Sequence, residues 1–213
     1  MNASPAEQSP FSPAAFFARA ERSLYAVAAA AAASAGDHVL NPDFLLDPAK
    51  YRDAAVLIPV VASEPEATVI LTERTDHLST HAGQIAFPGG KIDAGDEGPA
   101  AAALREAEEE IGLDQTRVTI IGALAPYLSR TGYRVVPVLA RVEPGYRLRL
   151  NRDEVADAFE VPLAFLMTPA NHARAIRTFG GIERYFYEMP YGERYIWGVT
   201  AGIIRGLYEQ VYG

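Results

Sequence analysis

The segment PAAAALREAEEEI (99–111) constrains this chain more than any other. Pro99 stands where a first helical position tolerates a missing N–H. Gly112 stands just past the end, where a left-handed residue is wanted. The spacing therefore predicts a helix over 99–111. Glu106, Glu109 and Glu110 fall at i, i+3 and i+4 and share one face. Ala102, Ala103 and Leu104 lie on the other, small or apolar enough to pack closely on a sheet. Three carboxylates on one face repel one another and weaken the helix unless a cation lies between them. A hard divalent cation with oxygen ligands fits, which points to Mg²⁺, with Mn²⁺ as the alternative.

The rest of the chain can supply a core for that helix. It has 213 residues, of which 49% are hydrophobic. Its formal net charge is −8, which argues against a nucleic-acid partner, since such proteins show a basic face. An anionic substrate would need metal or local Arg and Lys. There are no cysteines, hence no disulfide framework and no thiolate chemistry, and a cytoplasmic address fits. The apolar run LYAVAAAAAAS (24–34) is too short to span a bilayer. It lies behind Arg19, Glu21 and Arg22, and is expected to be part of a soluble helix rather than a secretion signal.

In chain order, 1–12 is expected to be a disordered tail, 13–35 a helix ended by Gly36-Asp37, and 37–53 an extended connector. Strands are expected at 54–62, 68–74, 118–124 and 133–142, with a short one at 148–151. The aromatic stretch 184–197 reads as a hairpin, and 198–212 as a helix with Ile203, Ile204, Leu207 and Val211 on its apolar side. Without strict strand–helix alternation, the elements suggest an α/β fold with a mixed sheet between helices. The organisation is thus a tail (1–12), an N-terminal helix and connector (13–50), and one domain (51–213).

The run REAEEEIGL (105–113) resembles the second half of the Nudix box, GX5EX7REUXEEXGU, with U aliphatic. Arg105, Glu106, Glu109, Glu110, Gly112 and Leu113 fall on it, and Ala107 stands where a larger aliphatic is more usual. The first half departs by one residue: counting from Gly90 reaches Asp96, and counting back from Arg105 reaches Glu97. Either acid can fill the box's first acidic position. The resemblance implies the Nudix α/β/α sandwich with an N-terminal helical arm, and a metal site of Glu106, Glu109 and Glu110. Arg105 is then an organising residue that pairs with Asp96 or Glu97, and Gly89 and Gly90 form a tight turn at the substrate phosphates.

The upstream run ILTERTDHLSTHAGQIAFPGG (70–90) is similar to the signature of the coenzyme A pyrophosphatase branch, LTxRSxxLxxHxGQxxFPGG, with Thr75 in place of Ser. TGY (131–133), EV (154–155), FEVPL (159–163) and IWGVTA (196–201) add to the likeness, which covers about residue 50 to the end. It implies cleavage of the pyrophosphate of coenzyme A or an acyl-CoA to 3′,5′-ADP and a 4′-phosphopantetheine portion. Arg74 and His81 are then candidates for substrate phosphates, against a strand-end salt bridge for Arg74 and a loop brace with Gln84 for His81. The general base is a metal-helix glutamate or a distant acid, for which Glu154 is the candidate, against a surface acid beside Arg152. Trp197 is read as a core anchor in preference to an adenine platform.

Two rival readings stand beside this one. The first keeps fold and metal but takes ADP-ribose or another nucleoside diphosphate derivative. The second is a non-catalytic Nudix-fold binding module, against which the retained Glu106, Glu109 and Glu110 speak. The N-terminal helix and the aromatic hairpin can each form a homodimer contact or pack on their own chain.

Overall fold

The structure is a computed structural model, and it describes residues 9–25, 35–44, 46–76 and 82–213. Its frame is two ten-residue strands, β2 (Arg52–Val61) and β8 (Tyr133–Val142), paired in parallel along their whole length. β2 is buried almost throughout, which is what a strand covered on both faces requires. β3 (Thr68–Arg74), β4 (Ile85–Ala86) and β9 (Val155–Pro162) extend one side of the sheet, with β3 pairing both others antiparallel. β6 (Val118–Ala123) and β7 (Tyr127–Leu128) pair with β8, and β1 (Ala35–Gly36) adds in parallel to β7. The short β5 (Gly89–Lys91) pairs antiparallel with the start of β2.

Alternation along β2 builds two cores. Ala55, Leu57 and Val61 face α2 (Pro99–Ile111), against Ala102, Ala103, Ala107 and Ile111. Ala54, Ile58 and Val60 face the other way, toward Phe16 and Phe17 of α1 (Pro13–Ser23) and Ile203, Ile204 and Leu207 of α4 (Gly198–Tyr212). The fold is thus an α/β/α sandwich with a mixed sheet. A short helix α3 (Leu163–Leu166) follows β9, and a separate antiparallel sheet of β10 (Ala173–Phe179), β11 (Ile182–Tyr191) and β12 (Arg194–Trp197) precedes α4. Arg194 pins that sheet to the main one through Glu73 at 3.1 Å and Asp157 at 2.6 Å.

The helix over 99–111 and the strands 68–74 and 133–142 have the expected bounds, and the terminal helix spans 198–212. Other expectations are corrected. The N-terminal helix stops at Ser23, because Leu24 is extended and Tyr25 exchanges backbone hydrogen bonds with Ala123. The remainder of the apolar run, 26–34, lies outside the described residues, as do residues 1–8 of the tail expected over 1–12, whereas 9–12 form a turn that ends in Ser12, the N-cap of α1. Among the described residues, the segment 37–53 is not an extended connector but holds three single-turn 3₁₀ helices leading into β2. Residues 148–151 form no strand. The Arg149 and Asn151 N–H groups instead donate to the Ile111 and Glu110 carbonyls at 2.8 and 2.9 Å, satisfying the open end of α2. The aromatic hairpin has a third strand, β10. The N-terminal helix packs on its own chain, with Phe16 fully buried and its ring 6.4 Å from that of Tyr212. No helix among the described residues is long and apolar enough to cross a membrane.

Candidate active site

The acidic face of α2 meets the glycine turn at β5. The N–H of Gly89 donates to Glu110 Oε2 at 3.1 Å. A Cβ on Gly90 would lie 2.5 Å from Glu106 Oε1, so any larger residue there would push the Glu106 carboxylate out of its present place. The register of β5 on β2 holds the turn there: Gly90 pairs with Ala55 and Gly89 with Val56. At the other end of α2, Gly112 takes the left-handed conformation (φ 65°) that ends the helix.

Arg105 organises the face. Its Nε and Nη2 both donate to Asp96 at 3.0 Å, a two-pronged pairing, and Nη1 donates to Glu106 and Glu109, each at 3.0 Å. Nη2 also reaches the Lys91 carbonyl at 3.2 Å. Arg105 and the Asp93 N–H hold the Asp96 carboxyl below the usual carboxylate range. Between the two acids of the lengthened loop, Asp96 therefore makes the pairing with Arg105, while Glu97 is exposed. Asp96→Ala is expected to lower the hydrolytic rate about 10-fold or more, the usual loss when a supporting partner is removed. Glu97→Ala should stay within about twofold, and assays of both variants on one substrate check the difference.

Glu110 is 4% exposed, and burial pushes its carboxyl up to about 8, helped by the charges of Glu106 and Glu154 and opposed by the Gly89 N–H and Arg74. Burial also raises Glu106, with Glu109 and Glu154 adding to the effect and Arg105 opposing it. Glu154 thus lies in the field of both helix acids. The pairing of β3 with β9 puts it there: Val155 is opposite Arg74, and the Thr75 N–H donates to the Glu154 carbonyl at 3.0 Å. The Glu154 carboxylate accepts from Asn151 Nδ2 at 3.2 Å, while Arg152 donates elsewhere, to the Ala156 carbonyl. Arg74 Nη1 lies 3.9 Å from Glu110, so its strand-end pairing is with the helix face itself. His81 lies outside the described residues.

From the glycine turn a cleft of about 830 Å³ opens across the N-terminal half of β2 to β11. Among the described residues, Arg52, Arg74, Lys91, Arg130 and Arg184 line it, with Asp37 as the one carboxylate, in a chain whose net charge is −8. Trp197 also lines it and is half-buried, with the Phe186 ring at 5.5 Å and the Arg177 guanidinium 5.0 Å from its centroid. The residue buried at this point is its neighbour Ile196, fully covered in the core; Trp197 points the other way, as strand alternation requires. The expectation of a core anchor at Trp197 is corrected accordingly. Asp37 and Asn41 line the same cleft, and no motif in the sequence marks them.

Among the described residues, no three acidic or histidine side chains converge as a chelating group. The Arg105 guanidinium bridges Glu106 and Glu109 instead. The donor set nevertheless suits a divalent cation. Glu110 is buried, its one ion pair among the described residues is the 3.9 Å contact to Arg74, and its neighbours Glu106 and Glu154 make it harder to ionise. A cation beside these oxygens removes that cost.

The NUDIX domain family model matches residues 50–179, which hold β2, the glycine turn, α2 and Glu154. An uncharacterized Nudix hydrolase NudL of Shigella flexneri serotype 5b is 44% identical over 174 residues, covering 81% of this chain and 90% of the relative. The NudL of Escherichia coli K12 is 43% identical with the same coverage. Among solved structures, a Caenorhabditis elegans Ap4A hydrolase binary complex is 21% identical, covers 52% of this chain and 80% of its own, and has a TM-score of 0.44. DR0079 from Deinococcus radiodurans is 15% identical, covers 77% and 90%, and has a TM-score of 0.49. The acidic helix, its glycine turn and the arginine hub thus lie within a matched family domain, and the chain belongs to the Nudix hydrolase family.

Proposed function

We propose that this Nudix hydrolase cleaves the pyrophosphate of coenzyme A or an acyl-CoA to 3′,5′-ADP and 4′-phosphopantetheine or its acyl form. The observation that carries the reading is the cationic cleft: five Arg and Lys side chains line a long opening that starts at the glycine turn. A substrate with more phosphate than a simple nucleoside diphosphate suits that balance. The run 70–90 and the segments around 131, 154–163 and 196–201 support the same substrate by resemblance.

Nudix hydrolases generally use divalent ions such as Mg²⁺. Glu106, Glu109 and Glu110 would hold Mg²⁺ or Mn²⁺ here. When bound, such an ion neutralises charge on the pyrophosphate oxygens and makes a coordinated water more acidic. Gly89 and Gly90 let the phosphates approach the helix face, and Arg74 pairs with their charge. Glu154 is the candidate to accept the proton of the attacking water as its oxygen bonds to phosphorus and a P–O bond of the pyrophosphate breaks, with a glutamate of α2 as the alternative base. Trp197 offers a ring face to the adenine. A cytoplasmic location fits such a substrate.

Incubation with CoA and Mg²⁺, followed by mass identification of products, tests the reading. 3′,5′-ADP is expected, with CoA turned over about 10-fold or more faster than ADP-ribose. Equal or better hydrolysis of ADP-ribose would overturn it.

A further inference from the structure

The second sheet reaches the cleft along an edge that its own strands leave uncovered. β10 pairs with β11 from Ile182 to Glu188, while β12 pairs with β11 only from Glu188 to Tyr191. Among the described residues, the β12 side of β11 therefore has no strand beside it over 182–187. An uncovered edge presents backbone groups that need partners. Asn41 supplies them at Tyr185. Its Oδ1 accepts the Tyr185 N–H at 3.0 Å, and its Nδ2 donates to the Tyr185 carbonyl at 2.9 Å. One side-chain amide thus does what a residue of a neighbouring antiparallel strand would do.

Asn41 can hold β11 because it is itself held. It is buried, and its Nδ2 also donates to the Asp37 carbonyl at 2.9 Å. The Asn41 N–H donates to the same carbonyl at 3.0 Å. The Asp37 carboxylate accepts from Tyr127 Oη at 2.6 Å and from the Arg130 N–H at 2.8 Å, which ties it to β7 and to the turn before β8. The segment 37–41 precedes the matched family domain, yet it joins the main sheet to β11 at the cleft.

The residue after the clamp is Phe186. Its ring is buried, lines the cleft and meets that of Trp197 edge-on, with centroids 5.5 Å apart. The register accounts for the meeting: Trp197 is opposite Glu188, so Phe186 is its diagonal neighbour on the same face. The Arg177 guanidinium covers both rings, 5.5 Å from the Phe186 centroid and 5.0 Å from that of Trp197. Where the two rings stand in the cleft thus follows from where β11 runs at 185–186, and Asn41 sets that course from outside the sheet.

We propose that Asn41 is a positioning residue for the base of the substrate, acting through the backbone of Tyr185 to fix the aromatic pair Phe186 and Trp197 on the cleft wall. The clamp and the pair stand on the geometry. The assignment of a base to Trp197 rests on the function proposed above.

Trp197 is the single tryptophan of the chain, so its fluorescence reports on this wall. Adenosine 5′-phosphate and ribose 5-phosphate, titrated against the full chain with calorimetry giving both affinities, separate base from phosphate. The wild type is expected to bind adenosine 5′-phosphate about 10-fold or more tightly, with quenching of Trp197, the scale of one base stacked on an aromatic ring. Asn41→Ala should bring the ratio toward one and shift the Trp197 emission, with ribose 5-phosphate binding kept. Asn41→Ser, which retains one hydroxyl, is measured beside it and should move the ratio the same way by less. In both, KM for CoA should rise by a larger factor than kcat falls. A wild-type ratio kept in the two variants would overturn the proposal and leave Trp197 as the base platform. Loss of ribose 5-phosphate binding along with the ratio in both would also overturn it, since it marks a residue that supports the fold alone. A wild type with no preference for adenosine 5′-phosphate removes the platform and Asn41's role together. Failure to cleave CoA removes the coenzyme A reading only, and the binding ratio still decides Asn41.

Discussion

Glu110→Gln is expected to stabilise the metal-free protein while removing most of its hydrolytic activity. Glu110 is nearly fully buried, and its carboxyl is pushed up to about 8, chiefly by burial. A carboxyl whose folded-state pKa is raised favours folding in its protonated form. Its contribution is fully present below the unfolded value near 4.5 and is lost as pH rises through about 8. At pH 7 the native carboxyl is mostly protonated while the unfolded one is ionised, and taking up that proton on folding costs on the order of 3 kcal/mol. Glutamine carries no charge and still accepts the Gly89 N–H, but it gives up the pairing with Arg74. The net gain should be between about 1 and 3 kcal/mol, or roughly 5 °C in Tm for a chain of this size. The gain should vanish below pH 4.5 and be largest above 8. Saturating Mg²⁺ should reverse the order, because a cation that binds the native wild type stabilises it by mass action and gains less from the variant. The rate should fall by about 10²–10³-fold, the scale of losing one group that opposes developing phosphate charge. Melting curves across pH, with and without Mg²⁺, check the stability claim. A variant that melts below the wild type at pH 8 without metal, or that keeps wild-type turnover, would remove Glu110 from the role assigned to it.

The same residue shows what the sequence could and could not reveal. The spacing of Glu106, Glu109 and Glu110 placed them on one helix face, and Pro99 and Gly112 bounded the helix, because capping and periodicity are local properties. The depth to which Glu110 is buried is not local. It depends on β5 lying against β2, a pairing between segments more than thirty residues apart. Asp96 and Glu97 were indistinguishable by counting, and the pairing with Arg105 separates them. Trp-Gly before an apolar helix usually marks a core, which points to Trp197 as the anchor. The parity of β12 gives the core position to Ile196. The strand expected at 148–151 failed for a related reason: its apolar alternation was real, but its N–H groups were needed to close α2. Asp37 and Asn41 left no signal, since one acid and one amide among turns look like any loop until their partners, ninety and more residues away, are known.

Arg105→Lys is the second large effect expected, and it asks whether geometry or charge makes the hub. One guanidinium serves Asp96 twice and Glu106 and Glu109 once each. A lysine ammonium carries the same charge but is a point donor on a flexible stem, and it cannot present a planar fork. It can hold Asp96, or bridge the two glutamates, but not both in these positions. The loop that contains Asp96 would then lose its fixed place, and the glycine turn would be held less firmly against α2. The expected cost is about 1–3 kcal/mol of stability, from charge-assisted hydrogen bonds left unmade. A fall of about 10–100-fold in kcat should accompany it, with KM little changed, as for a partner that orients the reacting groups without touching substrate. Arg105→Ala should be worse than Arg105→Lys in stability, because it also leaves Glu106 and Glu109 with no cation between them. If Arg105→Lys restores wild-type kcat, charge alone organises the face and the fork is incidental. If KM rises instead while kcat holds, Arg105 contacts the substrate directly and its place among the helix acids is a resting state of a binding residue.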